Sequence, residues 1–226
     1  MSQDIEGNLW PFYVVADESG SMYAYMDELN EGLGSLRRAL LAQPLTAAKI
    51  RFTLIGFSDD AIVRSHLVDM REAAELTPLE SRIGTCYQAA FNLLRELIPA
   101  DVETLKARRY AVYRPTVFFL SDGEPNDALD WPNTHRQLVD RTVHRAAPNI
   151  IACGIGDVRA DVIRQVATQP QYAFVTVPGV DIGQAITEFC TALTKSVVAS
   201  VQTFGTGADS LIVEPPAGFR VTLDEV

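Results

Sequence analysis

The sequence predicts an α/β fold, a doubly wound and mostly parallel sheet with helices on both faces. Three observations carry this. Short apolar runs of strand length, at residues 12–16, 49–57, 116–120, 149–153 and 172–177, alternate with stretches of helical periodicity. The runs at 12–16 and 116–120 are apolar throughout, as expected of strands buried on both faces. Each leads into a polar turn that carries an aspartate, Asp17 directly after the first and Asp122 in Ser121-Asp122-Gly123-Glu124-Pro125 after the second. In open parallel sheets, ligand sites lie at the carboxyl ends of the strands.

Taken in order, residues 12–16 lead into the turn Asp17-Glu18-Ser19-Gly20-Ser21. Met22, Met26, Leu29, Leu33, Leu36 and Leu40 then mark one apolar helix face, and Gln43-Pro44 closes the segment. Residues 49–57 (KIRFTLIGF) and 61–67 are separated only by Ser58-Asp59-Asp60, which predicts a hairpin. Residues 69–83 are polar and irregular. Thr85 opens a helix with Ala89, Ala90, Leu93, Leu94 and Leu97 inward, expected to end at Pro99, with 101–110 as a charged helical extension. Further helices are expected over 131–146 and 161–168. Ile182, Ile186, Phe189, Leu193 and Val197 mark a long final one. Residues 204–226 fall outside the alternation and carry Gly205, Gly207, Pro215, Pro216 and Gly218. This divides the chain into a domain over 1–202 and an extended arm over 203–226 that adds an edge strand or docks elsewhere.

Composition narrows the function classes. The 226 residues are 47% hydrophobic and 21% charged, as in a soluble globule. A net charge of −10 repels phosphate backbones, so no nucleic-acid partner is expected. The short basic clusters, Arg37-Arg38 and Lys106 to Arg109, read as solvated helix faces. The start MSQDIEGN has neither the basic nor the apolar region of a signal peptide, and no apolar run is long enough to span a membrane. A cytoplasmic protein with no membrane partner is expected. Cys86, Cys153 and Cys190 have no metal-ligand spacing, and Cys153 and Cys190 read as buried small hydrophobes.

The chemistry concentrates on three loops. Asp17, Ser19 and Ser21 put three hard oxygens on one strand exit, which suits a hard cation such as Mg²⁺. If the strands at 12–16 and 116–120 are neighbours, Asp122 joins them, and Thr85 at its helix start is a natural third contributor. Two carboxylates, three hydroxyls and water make an octahedral oxygen shell for Mg²⁺, with Mn²⁺ or Ca²⁺ as alternatives. Other motifs are weaker. Gly154-Ile155-Gly156 lacks the third glycine of a dinucleotide loop, since Arg159 stands there, and reads as a tight turn. His66, His135 and His144 are dispersed and expected at the surface. Cys86 at a helix start has no histidine beside it in sequence.

Asp17-x-Ser19-x-Ser21, with Thr85 in GTCYQAA and Asp122 in SDGEP, resembles the metal-ion-dependent adhesion site of von Willebrand factor A domains. The resemblance covers roughly residues 9–202. FLSDGEPND and NIIACGIGD narrow it to the bacterial TerY-type proteins of tellurite-resistance and stress-response gene clusters. It implies a Rossmann-like sheet with one antiparallel edge strand. It also implies direct metal contacts from Ser19, Ser21 and often Thr85, with Asp17 and Asp122 acting partly through water. Glu18 stands where the family often has Thr or Ser and is no ligand in the motif; Glu124 and Asp127 are expected at the rim. The function implied is cation-dependent binding of another protein that supplies an Asp or Glu, with no catalysis. The rival reading is a metal-dependent phosphoryl-transfer enzyme with Asp17 as nucleophile, as in haloacid-dehalogenase-like phosphatases. It lacks the second acid, because Ser19 stands there, and a lysine near the three loops. A purely structural subunit is the third reading.

Overall fold

The computed structural model describes residues 5–72, 75–125, 130–203 and 210–222. At its centre runs β1 (Gly7–Asp17), in which every residue from Leu9 to Asp17 is buried. The chain then forms β2 (Ile50–Phe57), β3 (Ala61–Val68), β4 (Tyr110–Val112), β5 (Thr116–Ser121), β6 (Asn149–Gly154), β7 (Ala173–Thr176) and β8 (Phe219–Val221). Among the described residues these make one sheet in the order β3-β2-β1-β5-β6-β7-β8, with β4 pairing β1 beside that path. Pairings are parallel except β2 with β3 and β7 with β8. The expected antiparallel edge strand is β3, and β8 supplies a second one at the far edge.

Strand order runs outward from β1 through β2 and β3, then restarts at β5 on the other side. The reversal therefore lies between β1 and β5, paired from Phe12 opposite Thr116 to Ala16 opposite Leu120. Alternate residues of β1 feed two cores. Trp10, Phe12, Val14 and Ala16 pack under α1 (Met26–Leu41), α2 (Pro44–Ala47) and α6 (Ile182–Thr203). Tyr13 and Val15 pack under α3 (Tyr87–Ala107), α4 (Trp131–Val139) and α5 (Ala160–Val166). Full burial of such side chains contributes about 1.5–3 kcal/mol each, which is why this strand anchors both layers.

Several boundaries differ from expectation for local reasons. Met22 lies in a 3₁₀ turn over Gly20–Tyr25 that precedes α1. α3 begins at Tyr87 and runs through Pro99 without stopping. A helical proline costs about 3 kcal/mol, but Leu94, Ile98, Val102 and Leu105 keep one buried face across it and offset that cost. α4 stops at Val139 because the Asp140 carboxylate accepts hydrogen bonds from the Thr142 amide and hydroxyl at 2.8 and 2.6 Å, a turn that competes with the helix. Beyond α6, residues 210–214 lie along that helix. Ser200 Oγ donates to Ile212 O and accepts from its amide, and Ser196 Oγ accepts from the Glu214 amide at 2.9 Å. Buried helix hydroxyls thus hold the segment that leads to β8. Cys153 and Cys190 are buried, as expected.

His135 is not at the surface. It is 7% exposed on α4, its ring 5.1 Å from that of Phe91, and its Nε2–H donates to Val166 O at 2.8 Å. Burial drives its pKa down to about 4, against the Val166 bond. An unfolded histidine titrates near 6.5, so between those values the unfolded chain takes up a proton that the fold refuses. This contribution to stability is complete above pH 6.5 and should fall by about 1.4 kcal/mol per pH unit on going down toward pH 4. Urea midpoints measured across this range should drop more steeply for the native chain than for His135→Gln. Parallel profiles would contradict it.

Candidate metal centre

β1 and β5 deliver Asp17 and Ser121 side by side at the carboxyl edge of the sheet. Asp17 is fully buried. Its Oδ1 accepts from the Ser19 amide at 2.8 Å, and its Oδ2 accepts from the Ser121 hydroxyl at 2.6 Å. The first bond curls residues 17–19 into a tight turn that presents the two hydroxyls. Ser19 Oγ and Ser21 Oγ lie 3.0 Å apart, and they donate to Asp122 Oδ1 at 3.4 and 2.9 Å respectively. The next loop is fastened by the Tyr87 hydroxyl, which donates to Gly123 O at 2.9 Å. Thr85 faces the same loop: a Cβ placed on Gly123 would lie 3.8 Å from Thr85 Oγ1.

The four side chains of Asp17, Ser19, Ser21 and Asp122 therefore converge directly, with Thr85 beside them. Exposure increases across the group. Asp17, Ser19 and Thr85 are buried, Asp122 is partly exposed and Ser21 is exposed, so the cluster opens to solvent on one side. Burial pushes the Asp17 carboxyl up to about 6, against the bonds from Ser121 and Ser19 and helped by the Asp122 charge. Burial also raises Asp122, opposed by Ser21 and Ser19. Two carboxylates kept from charging comfortably by their surroundings are what a cation would relieve. Among the described residues no group of three or more His, Cys, Asp or Glu is placed to hold a metal. A metal here would rely on the hydroxyls as much as on the acids, a donor set that fits a hard divalent ion.

Glu18, expected to be no ligand, organises the approach of the second loop. Its carboxylate is wholly buried and gripped from two sides. Arg64 Nε and Nη2 donate at 2.9 and 3.1 Å, Arg82 Nε at 2.8 Å and the Glu80 amide at 3.0 Å. The Glu18 carbonyl also accepts the Arg82 amide. Residues 80–82 are thereby sewn to the first loop, ending three positions ahead of Thr85. Gly56 is glycine because a Cβ there would lie 2.1 Å from the Glu18 carboxyl carbon. Ser58 completes the fastening by accepting the Gly84 amide at its hydroxyl and the Cys86 amide at its carbonyl. Ser121, the partner of Asp17, was also missed; its place directly before Asp122 was the available signal. Glu124 lies exposed with Arg159 at 3.6 Å, whereas Asp127 is outside the described residues.

No protein-family model matches the sequence, and no curated protein matches it. Solved structures do. Proximal thread matrix protein 1 from the mussel byssus is 13% identical over 84% of this chain, with a TM-score of 0.57. The same protein with a zinc-occupied MIDAS motif gives a TM-score of 0.58 at 13% identity, covering 84% of this chain and 48% of that one. The pilus adhesin SpaC from Lactobacillus rhamnosus GG, in an open conformation, gives 0.64 at 15% identity, covering 84% of this chain and 30% of the adhesin. The chain thus spans about half the length of the mussel protein and under a third of the adhesin. What these likenesses establish is the fold, which is von Willebrand factor A-like.

Replacing the charge that Arg64 and Arg82 grip tests how the second loop is held. Glu18→Gln should lower unfolding stability by about 1.5–3 kcal/mol, the usual range for hydrogen bonds to a charged group. Amide exchange at residues 80–86 should rise with it. An unchanged urea midpoint with unchanged exchange would show that the loop is held without Glu18.

Proposed function

We propose that the chain is a protein-binding module that recognises its partner through a divalent cation, Mg²⁺ by preference and Mn²⁺ or Ca²⁺ as alternatives. The observation that carries this is the convergence of Asp17, Ser19, Ser21 and Asp122 at the strand-order reversal, open to solvent on the Ser21 side. Ser19, Ser21, Thr85 and Asp122 would hold the ion, with Asp17 behind the two serines. When bound, the cation supplies Lewis acidity toward an outside Asp or Glu of the partner. The mussel protein with a zinc-occupied MIDAS motif supports the reading by fold likeness.

The chain's own residues favour recognition over catalysis. A nucleophilic Asp17 would need a free oxygen facing the opening, but it is wholly buried and both of its oxygens are engaged. The position of a general acid two residues on holds Ser19. Beside the cluster, Tyr23 and Ile83 are 78% and 90% exposed, one on the turn after Ser21 and the other two residues before Thr85. They offer apolar contact on either side of a bound acidic side chain. The sequence resemblance supports a cytoplasmic place in a tellurite-resistance or stress-response system, and the end of the strand–helix alternation supports a domain over 1–202 carrying an arm. Among the described residues no helix is long and apolar enough to cross a membrane.

Calorimetric titration of Mg²⁺ into chelator-treated protein should show about one site that Asp17→Ala abolishes. A partner recovered from the native cell with Mg²⁺ should be lost on chelation and with Asp122→Ala. Removing one member of a buried charged contact costs about 2–5 kcal/mol of binding. Identical metal titrations for native and Asp17→Ala protein, or equal partner binding by native, chelated and Asp122→Ala protein, would defeat the proposal.

A further inference from the structure

At the end of the sheet opposite the aspartate loops, the starts of β1, β5 and β6 frame a cavity of about 280 Å³. Two guanidinium groups, Arg114 and Arg141, line it together with Asn149 and the rings of Tyr113 and Tyr172. No carboxylate is among the lining residues, and neither arginine forms an ion pair among the described residues. That is unexpected in a chain with 29 acidic and 19 basic residues, where a cation has acids to spare. The two groups also oppose one another: burial and the neighbouring Arg141 charge hold Arg114 below the ordinary arginine range.

Both side chains are tethered at one end. Arg114 Nη1 donates to Ala147 O at 2.5 Å and to Arg145 O at 3.3 Å, and Arg141 Nη2 donates to Asn149 Oδ1 at 2.7 Å. These bonds fix the forks in place while engaging one nitrogen of each. Beneath them the Trp10 indole N–H donates to Arg114 O and Thr116 Oγ1, which pins the backbone that carries Arg114. The cavity thus presents two positioned cationic forks with N–H groups left over and aromatic walls.

We propose that this cavity binds a phosphomonoester dianion. Two guanidinium groups balance two negative charges, which a phosphomonoester approaches at neutral pH and a single carboxylate does not. The fork geometry of arginine matches tetrahedral and planar oxyanions alike, so charge makes the choice between them. The volume lies just below that of pockets for drug-sized ligands, so the phosphate carries a small substituent, set against Tyr113 and Tyr172. Such a group comes from a free small metabolite or from a phosphorylated side chain. Because the site lies at the other end of the sheet from Asp17 and Asp122, it is occupied independently of any cation there.

The test is calorimetric titration of the full chain in chelator at low ionic strength, with phenyl phosphate, inorganic phosphate, a phosphoserine peptide and benzoate as probes. Phenyl phosphate should bind with one site and benzoate at least about tenfold more weakly. Arg114→Gln and Arg141→Gln should each weaken phenyl phosphate at least about tenfold, whereas Asp122→Ala should not change it. Arg141 is exposed and its replacement uncovers no core, so that variant decides the matter if Arg114→Gln does not fold. Comparable binding of the peptide assigns the site to a phosphorylated side chain, and its exclusion assigns it to a free metabolite. No binding of either phosphate by the native chain would overturn the proposal. So would equal binding by native and Arg141→Gln protein, or benzoate binding as tightly as phenyl phosphate. Asp209, beside Ser210 in sequence, lies outside the described residues. Binding that emerges only in Asp209→Asn would show the arginines to be counterions of the chain's own carboxylate, and would overturn it too.

Discussion

Across the point where strand order reverses, the Ser121 hydroxyl donates to the buried Asp17 carboxylate at 2.6 Å. This bond joins the ends of two parallel strands whose loops must leave in the same direction. With the other Asp17 oxygen committed to the Ser19 amide, the first loop has little freedom in how it turns. A buried carboxyl without these donors would cost several kcal/mol or be neutral. The two bonds favour its charged form and at the same time set the positions of Ser19, Ser21 and Asp122. The site is therefore a consequence of strand pairing: Ala16 opposite Leu120 in register puts the next residues of each strand together.

A second buried carboxylate, one residue on, does different work. Glu18 takes no part in the cluster and points to the other side of the strand exit, where Arg64 and Arg82 meet it. A buried ion pair is weak evidence for stability, since desolvation opposes the attraction. Its value here is positional. Arg82 belongs to the irregular segment before Thr85, where Leu76 and Leu79 pack against the core and Asn30 holds the Leu79 backbone, while Glu18 fixes the last stretch, residues 80–82. The consecutive acids Asp17 and Glu18 thus divide two tasks between them, one holding the third loop through Ser121 and the other holding the second.

Much of the fold was legible because the central runs of β1 and β5, residues 12–16 and 116–120, are apolar and lead into turns that carry Asp17 and Asp122, as expected of strands buried on both faces. The hairpin of β2 and β3 was legible from its three-residue turn. What escaped depended on distant partners. Pro99 reads as a helix end until the buried face of α3 is seen to continue past it. His135 reads as a surface group until Val166 O is found beside it. The candidate site was legible residue by residue because three motifs in chain order name its loops. Glu18 and Ser121 were not, since both act through residues far away in sequence, on β3 and on β1. The two arginines of the opposite cavity were hidden for the same reason: 27 positions separate Arg114 from Arg141, and only the parallel sheet brings their turns together.

The central claim is that the three loops hold a divalent cation between Ser19, Ser21, Thr85 and Asp122. Anomalous scattering from crystals grown with Mn²⁺ tests it most directly. The account predicts one strong peak at the mouth of the β1–β5 crevice, within ligand distance of the two serine hydroxyls and absent from Asp17→Ala crystals. A map with no peak at that mouth, in crystals where Mn²⁺ is seen bound elsewhere on the molecule, would contradict it.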